Sequence, residues 1–149
     1  MDNKNLQVFI EITIKYFEEV TGEKATMGVP YIKGNDDIVK EYTGAIGISG
    51  DKKGCIYITS PKEMLMELSK SILGDLESND DNLKDMIGEV ANTIAGNARD
   101  IFGSQFMISV PIVVRGEKLE VELPIQSYVI PITWNTYKSF LVIGLEEGS

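Results

Sequence analysis

Histidine is absent from this chain of 149 residues, and cysteine occurs only once, as Cys55. Without imidazole side chains, the chain cannot build Ser-His-Asp triads, Cys-His dyads or histidine-containing zinc sites from its own residues. A single cysteine cannot form an intramolecular disulfide, and its apolar, strand-like surroundings predict a buried thiol rather than a nucleophile. Any catalysis must therefore use carboxylates, amides, hydroxyls or the groups of a partner.

Basic residues and long apolar runs are also scarce. Fourteen Lys and Arg are outnumbered by 23 Asp and Glu, which gives a formal net charge of −9. This balance argues against nucleic acid and against an anionic membrane surface as partners, because both bind clustered cationic side chains. No apolar run approaches the roughly 18 residues that a membrane span requires, and the first residues do not resemble a signal peptide. We therefore expect a cytoplasmic protein.

The length suits one hydrophobic core, so we expect a single domain over residues 1–149. Helical periodicity of apolar residues predicts an amphipathic first helix over 5–21. Two short apolar runs at 42–49 and 54–59, separated by a Gly-Asp-Lys-Lys turn, predict a β-hairpin. The segment 26–33, between the first helix and that hairpin, is consistent with an additional edge strand.

Two central helices are predicted to follow the hairpin. Residues 60–63 have the pattern of a capping box with proline at the first helical position, which predicts a helix over 61–73 capped by the Ser60 side chain. The acidic link 75–81 is predicted to be a solvated loop, in which Ser78 or Asn79 can cap the third helix. A third helix then extends to about residue 103.

The C-terminal part alternates between apolar and polar residues, which predicts strands over 106–114, 119–129 and 137–145. Prolines at 111, 124 and 131 remove ladder donors and therefore predict bulges or edge positions. Trp134, in the predicted turn 133–136, is either a core residue or an exposed contact residue, and the core is favoured. The whole order predicts an α+β domain with a mostly antiparallel sheet, two central helices and an N-terminal helix.

The third helix carries polar residues that a purely packing helix would not need. Asp85, Glu89, Asn92 and Gly96 are spaced by four, three and four residues, so they share one helix face. Small residues flank this face, namely Gly88, Ala91, Ala95 and Gly96. Because glycine costs about 1 kcal/mol inside a helix, we infer that the small residues let another molecule approach closely.

This polar face has a simple interpretation as a solvated surface and a functional one as a binding site. A carboxamide can hold a water molecule, and a carboxylate can pair with a cationic side chain of a partner. Phosphoryl transfer depends mainly on positioning, so an amide that aligns an attacking water is a sufficient catalytic group. Asp85 is either a helper at this site or an acid favoured by the helix dipole. The acids at 75, 80 and 81 lack the spacing of a calcium loop, so no metal site is expected.

The run Asp85-x-x-x-Glu89-x-x-Asn92, continued by Thr93 to Ala98, resembles the signature of the CheC/CheX/FliY phosphatases. The order of predicted elements is similar to that family as well, and a single copy of the motif is typical of its CheX branch. The resemblance implies a CheC-like fold and a homodimer joined through sheet edges.

The resemblance also implies a hydrolase that removes the aspartyl-phosphate of a CheY-type response regulator, in chemotaxis or another two-component signalling pathway. Asn92 would orient the attacking water and Glu89 would pair with the regulator's active-site lysine. Asp85, Gly88 and Gly96 would be accessory residues. The Mg²⁺ ion would belong to the phosphorylated receiver domain, so this chain would need no cofactor of its own.

Two other functions are compatible with the sequence. The same helix would serve a non-catalytic module that docks on a receiver domain or a motility component. A small-molecule sensor with a pocket beneath the sheet is neither supported nor excluded by the residues.

Overall fold

A computed structural model describes residues 1–35, 37–74, 79–117 and 123–148. The helices are α1 (Asn3–Thr21), α2 (Lys62–Leu73) and α3 (Asp80–Phe102). The strands are β1 (Thr26–Met27), β2 (Tyr31–Ile32), β3 (Tyr42–Gly50), β4 (Lys52–Ser60), β5 (Phe106–Ile108), β6 (Ile112–Arg115), β7 (Tyr128–Trp134) and β8 (Tyr137–Glu147). Within these ranges, no helix is both long enough and apolar enough to cross a bilayer.

The strands form one sheet in which every described pair is antiparallel. Its order is β1-β7-β8-β4-β3-β5, with β2 also paired to β7 and β6 also paired to β3. The main core lies where apolar side chains of the central strands meet the three helices. This arrangement confirms the predicted α+β class and the mostly antiparallel sheet.

The first helix is confirmed, and it begins two residues earlier than its apolar periodicity predicted. The Asp2 side chain accepts a hydrogen bond of 2.8 Å from the backbone N–H of Asn5, which caps the first turn. Gly22 ends the helix in the left-handed region at φ 76°, where glycine carries no Cβ penalty. The apolar face that faces the core includes Leu6, Phe9 and Phe17.

The predicted β-hairpin is also confirmed, as β3 and β4. The register pairs Tyr42 with Ser60 at one end and Ile48 with Gly54 at the other. Both strands extend beyond the predicted runs. Strand β3 ends at Gly50 and β4 begins at Lys52, so only Asp51 lies between them. The segment 26–33 contains the two short strands β1 and β2, which pair one after the other along β7 at one edge of the sheet.

The capping box predicted at residues 60–63 is wrong. Ser60 is buried, and its hydroxyl shares a hydrogen bond of 2.7 Å with the hydroxyl of Ser139 on β8. The N-cap is Pro61, and the backbone N–H of Lys62 donates instead to the Glu41 carboxylate at 3.2 Å. The Ser60 hydroxyl is therefore bonded to a residue of the neighbouring strand, and it does not cap the first turn of α2 as the local sequence pattern predicted.

The start of α3 is set by Asn79, which was one of the two predicted caps. Its side-chain oxygen accepts a hydrogen bond of 2.9 Å from the backbone N–H of Asn82. Asp80 and Asp81, which the sequence placed in the acidic loop, occupy the first helical turn. Negative charge is favourable there because the helix N-terminus carries a partial positive charge. Residues 75–78, including Ser78, lie outside the described part of the chain.

The C-terminal strands depart most from the sequence prediction. The predicted strand 106–114 is divided into β5 and β6, and Pro111 lies in the break. The described residues 123–127 of the predicted strand 119–129 are not in a strand, and 119–122 lie outside the described ranges. Strand β7 begins only at Tyr128. It continues to Trp134 and β8 begins at Tyr137, so the predicted turn 133–136 shortens to two residues. Asn135 in this turn adopts φ 55°, which asparagine tolerates better than most residues.

Trp134 and Cys55 test the burial predictions. Trp134 is 1% exposed, and its ring centroid lies 6.0 Å from that of Phe17, so it is a core residue as favoured. Cys55 is only half-buried in β4, and its thiol donates to the Ile56 carbonyl oxygen at 3.5 Å. Desolvation raises the pKa of this thiol, which makes it a poor nucleophile near neutral pH.

A close approach between α3 and β3 fixes how the helix sits on the sheet. A Cβ added at Gly44 would lie 2.7 Å from the carbonyl oxygen of Ile87, a backbone atom that cannot swing aside. We expect Gly44→Ala to lower the free energy of unfolding by about 1–3 kcal/mol, the usual cost of overpacking. Denaturant unfolding followed by circular dichroism measures the change. Gly34→Ala is the control, because nothing lies within 4 Å of a Cβ there, and equal losses in both variants would contradict the close approach.

Candidate functional site

The three polar side chains of the predicted polar face on α3 are exposed to solvent. Asp85, Glu89 and Asn92 are exposed, whereas the opposite side of the helix is buried against the sheet. The helix is continuous from Asp80 to Phe102, so its 3.6-residue period places Glu89 and Asn92 about one turn apart on one face. An unbroken helix with its opposite side buried gives these side chains a rigid base.

Most of the small residues beside this polar face do not lie at the surface, where we inferred that they would let another molecule approach. Gly88, Ala91 and Ala95 are buried. A Cβ added at Gly88 would lie 3.1 Å from Cγ2 of Val113 on β6, and a Cβ at Gly44 would lie 3.3 Å from that of Ala91. These residues therefore let α3 pack closely on the sheet, and they do not provide clearance for another molecule as we inferred from the sequence.

Gly96 differs from the buried small residues. It is half-exposed, and nothing lies within 4 Å of the position that its Cβ would occupy. The inferred close approach of another molecule is therefore compatible with the structure at Gly96, one turn beyond Asn92.

The Glu89 carboxylate has two neighbours that the sequence pattern did not single out, Thr93 and Tyr16. The Thr93 hydroxyl, one turn further along α3, donates to Oε1 of Glu89 at 3.3 Å. Tyr16 of α1 is buried nearby, and burial, followed by the negative charge of Glu89, raises its pKa to about 12. Thr93 follows the motif directly and was visible as an i+4 neighbour. Tyr16 belongs to the apolar periodicity of α1, which gave no reason to separate it from the core.

A groove of about 460 Å³ opens beside Glu89, between the three helices. We call it the interhelical groove. Its apolar wall and floor are formed by Tyr16 and Val20 of α1, Ile72 and Leu73 of α2, and Met86 of α3. Its charged lining residues are Asp85 and Glu89, which are both acidic.

Asn92 lies outside this groove. Within the described ranges, its carboxamide makes no hydrogen bond, and its side chain is exposed. One amide offers both a carbonyl acceptor and N–H donors, so it can hold and orient a water molecule at the surface of a docked partner. By contrast, Asn97 is half-buried and lies about 140° around the helix from Asn92.

Asp80 does not belong to the site. Its Oδ1 accepts a hydrogen bond of 2.6 Å from the Tyr42 hydroxyl, and its carboxylate pairs with Lys84 and Arg115, each at 3.2 Å. These partners, the Tyr42 hydrogen bond first, lower the pKa of Asp80. The contacts attach the first turn of α3 to β3 and β6. Across the described ranges, no three Asp, Glu or Cys side chains form a cluster suited to a metal ion.

The chain was compared with protein-family models, with curated proteins and with solved structures. Residues 42–133, from β3 through α3 to β7, match the family model of the chemotaxis phosphatase CheX. No curated protein sequence matches the chain.

Several solved structures share the whole fold. A putative chemotaxis protein from Desulfovibrio vulgaris Hildenborough is 29% identical, with a TM-score of 0.83 over 96% of this chain and 97% of its own. CheX from Desulfovibrio desulfuricans is 26% identical, with a TM-score of 0.86 over 96% and 99%. The CheX–CheY–BeF₃–Mg²⁺ complex from Borrelia burgdorferi contains a chain that is 20% identical, with a TM-score of 0.78 over 96% and 98%.

Proposed function

Because the chain belongs to the CheX family of chemotaxis phosphatases, we propose that it hydrolyses the aspartyl-phosphate of a CheY-type response regulator. The observation that carries this proposal is the exposure of Glu89 and Asn92, one turn apart, on a helix whose other side is fixed in the core. A helix face of this kind can enter the active-site cleft of another protein without a conformational change of its own.

In the proposed reaction, Asn92 positions a water molecule in line with the bond between phosphorus and the aspartyl oxygen. The water oxygen attacks phosphorus, that bond breaks, and the products are inorganic phosphate and the free aspartate of the regulator. Little covalent chemistry is required of the phosphatase, because the gain comes from alignment of the nucleophile. The absence of histidine is consistent with such a mechanism.

Glu89 serves as the docking anchor in this proposal. Its exposed carboxylate, oriented by the Thr93 hydroxyl, pairs with the active-site lysine of the regulator. Asp85, one turn before Glu89, adds negative charge at the same face. The ion pair fixes the register in which Asn92 meets the phosphoryl group.

The Mg²⁺ ion of the reaction is proposed to arrive with the regulator. The Borrelia burgdorferi complex contains CheX, CheY, BeF₃ and Mg²⁺ together. In this proposal the ion neutralises charge on the phosphoryl oxygens while the phosphatase contributes the positioned water. We also propose a cytoplasmic location, where response regulators would meet the phosphatase.

A homodimer is proposed through the sheet edge formed by β5 and β6. Val110, Ile112 and Val114 at this edge are 81%, 64% and 39% exposed. An edge strand with exposed apolar side chains is a template for pairing with a second copy. Light scattering is expected to give about twice the chain mass of 16.5 kDa. Ile112→Lys is expected to shift the mass toward one chain, and a monomeric wild-type protein would contradict this edge pairing.

The test of the proposed function is a phosphatase assay against the receiver domains of the host, taken one at a time. Each domain is phosphorylated with a small phosphodonor in the presence of Mg²⁺, and phosphate release is followed with and without this protein. Faster release from at least one receiver domain supports the proposal. If phosphate loss from every receiver domain keeps its spontaneous rate, the proposed function is wrong.

A further inference from the structure

The interhelical groove is separate from Asn92 but shares a rim with the proposed docking anchor. Glu89 and Asp85 lie on its α3 side, and Ile72 and Leu73 form its α2 side. Ile72 and Leu73 are 38% and 52% exposed, although both are large aliphatic side chains. Exposed aliphatic residues that line a concave surface are typical of a site that another molecule covers.

The chemistry of the groove restricts what can occupy it. The lining is mostly apolar, with polar groups from Ser69, Asn82 and Thr93, and its charged side chains are both carboxylates. An anionic occupant would be repelled, and a purely polar one would leave most of its hydrogen-bonding groups unpaired, because most of the lining is aliphatic or aromatic. The complementary occupant is an apolar side chain with a cationic group beside it.

That combination fits the partner of the proposed docking step. Glu89 pairs with a cationic side chain in that step, so an apolar side chain next to this cation on the partner would reach the groove without any rearrangement of α3. We propose that the interhelical groove is the specificity pocket of the docking face, which receives an apolar side chain that the receiver domain carries beside its cationic residue. This inference rests on the proposed phosphatase function and deepens it.

The groove contributes to affinity and selectivity in this scheme, whereas Asn92 contributes to the chemical step. Val20, Ile72 and Leu73 are therefore specificity residues, because they contact the partner and not the reacting atoms. A receiver domain with a polar or acidic residue at the matching position would lose the apolar contact and leave the groove unfilled. The protein would then discriminate among the receiver domains of one cell by this contact.

Variants of three groove residues test the proposal: Ile72 and Leu73 are exposed, and Val20 is half-buried against the core. Ile72→Asn and Leu73→Asn remove the α2 wall, and Val20→Trp narrows the groove from the α1 side. Ile101→Asn is the matched control, because Ile101 is 59% exposed on α3 and does not line the groove. Circular dichroism checks that each variant is folded. The probe is a beryllofluoride-activated, Mg²⁺-loaded receiver domain, and each host receiver domain is titrated in turn.

We expect the groove variants to weaken binding roughly tenfold, as truncation of a buried contact residue commonly does. KM for the phosphorylated receiver domain should rise by a similar factor with kcat unchanged, and Ile101→Asn should match the wild type. Unchanged affinity and KM in all three groove variants would overturn the groove proposal while the phosphatase function stands.

Failure of the proposed phosphatase function gives a different result from failure of the groove proposal. If the wild-type protein accelerates phosphate loss from no receiver domain, the phosphatase proposal is wrong, and the titrations alone decide the groove. Weaker binding by the groove variants would still support the specificity pocket. A wild-type protein that binds no activated receiver domain would overturn it.

Discussion

Asn92→Ala is expected to lower the phosphatase rate at saturating receiver domain by at least roughly a hundredfold, the usual effect of losing one preorganised polar group. The alanine variant keeps the helix and the docking anchor but cannot hold the attacking water in line. Because Asn92 is exposed and makes no hydrogen bond within the described ranges, its removal should not destabilise the fold. Affinity for an activated receiver domain should change less than twofold.

The control for this prediction is Asn97→Ala on the same helix. Asn97 is half-buried and does not lie on the polar face of α3, so its variant should retain the wild-type rate. Single-turnover release of phosphate, measured with the phosphatase in excess, isolates the chemical step from docking. Full activity in Asn92→Ala, with intact binding, would remove the catalytic role assigned to this amide.

The second large effect is expected for Glu89→Ala, which removes the docking anchor. Truncating one member of a desolvated ion pair typically costs about 2–5 kcal/mol, or a loss of roughly thirtyfold or more in affinity. We expect KM to rise by at least that factor, with a smaller effect on the rate at saturation. Titration of the beryllofluoride-activated receiver domain measures the affinity directly.

Asp100→Ala is the matched control for Glu89→Ala, because Asp100 is an exposed acid near the end of the same helix. It should leave affinity unchanged and so exclude a general effect of net charge. A double-mutant cycle with an alanine substitution of the receiver's active-site lysine tests the pairing. Additive losses in that cycle would show that Glu89 pairs with some other group.

The two variants together separate the phosphatase from a non-catalytic docking module. In a phosphatase, Asn92→Ala abolishes turnover without weakening the complex, and Glu89→Ala weakens the complex. In a docking module, the wild-type protein binds an activated receiver domain without accelerating its dephosphorylation, and only Glu89→Ala has a measurable effect. The assay and the titration distinguish these patterns on the same protein samples.

Local patterns in the sequence were sufficient for much of the fold. The apolar period of α1 and the hairpin of β3 and β4 were predicted because each depends on contacts between neighbours in the chain. The predicted strand 119–129 failed at its described residues 123–127, since alternation of apolar and polar residues does not ensure a pairing partner. Ser60 failed as a cap because its hydroxyl bonds to Ser139, 79 positions away.

The candidate site likewise combines features that local sequence determines with features that depend on distant parts of the chain. The sequence by itself determined that Glu89 and Asn92 share a helix face, since the 3.6-residue period fixes that relation within one element. Only the tertiary structure decided that Gly88 and Ala91 lie against the sheet while Gly96 stays open. It also brought Tyr16 and Ile72 to the groove beside Glu89. Helical spacing specifies which residues share a face, but the packing of distant elements determines which face is buried and what surrounds the exposed one.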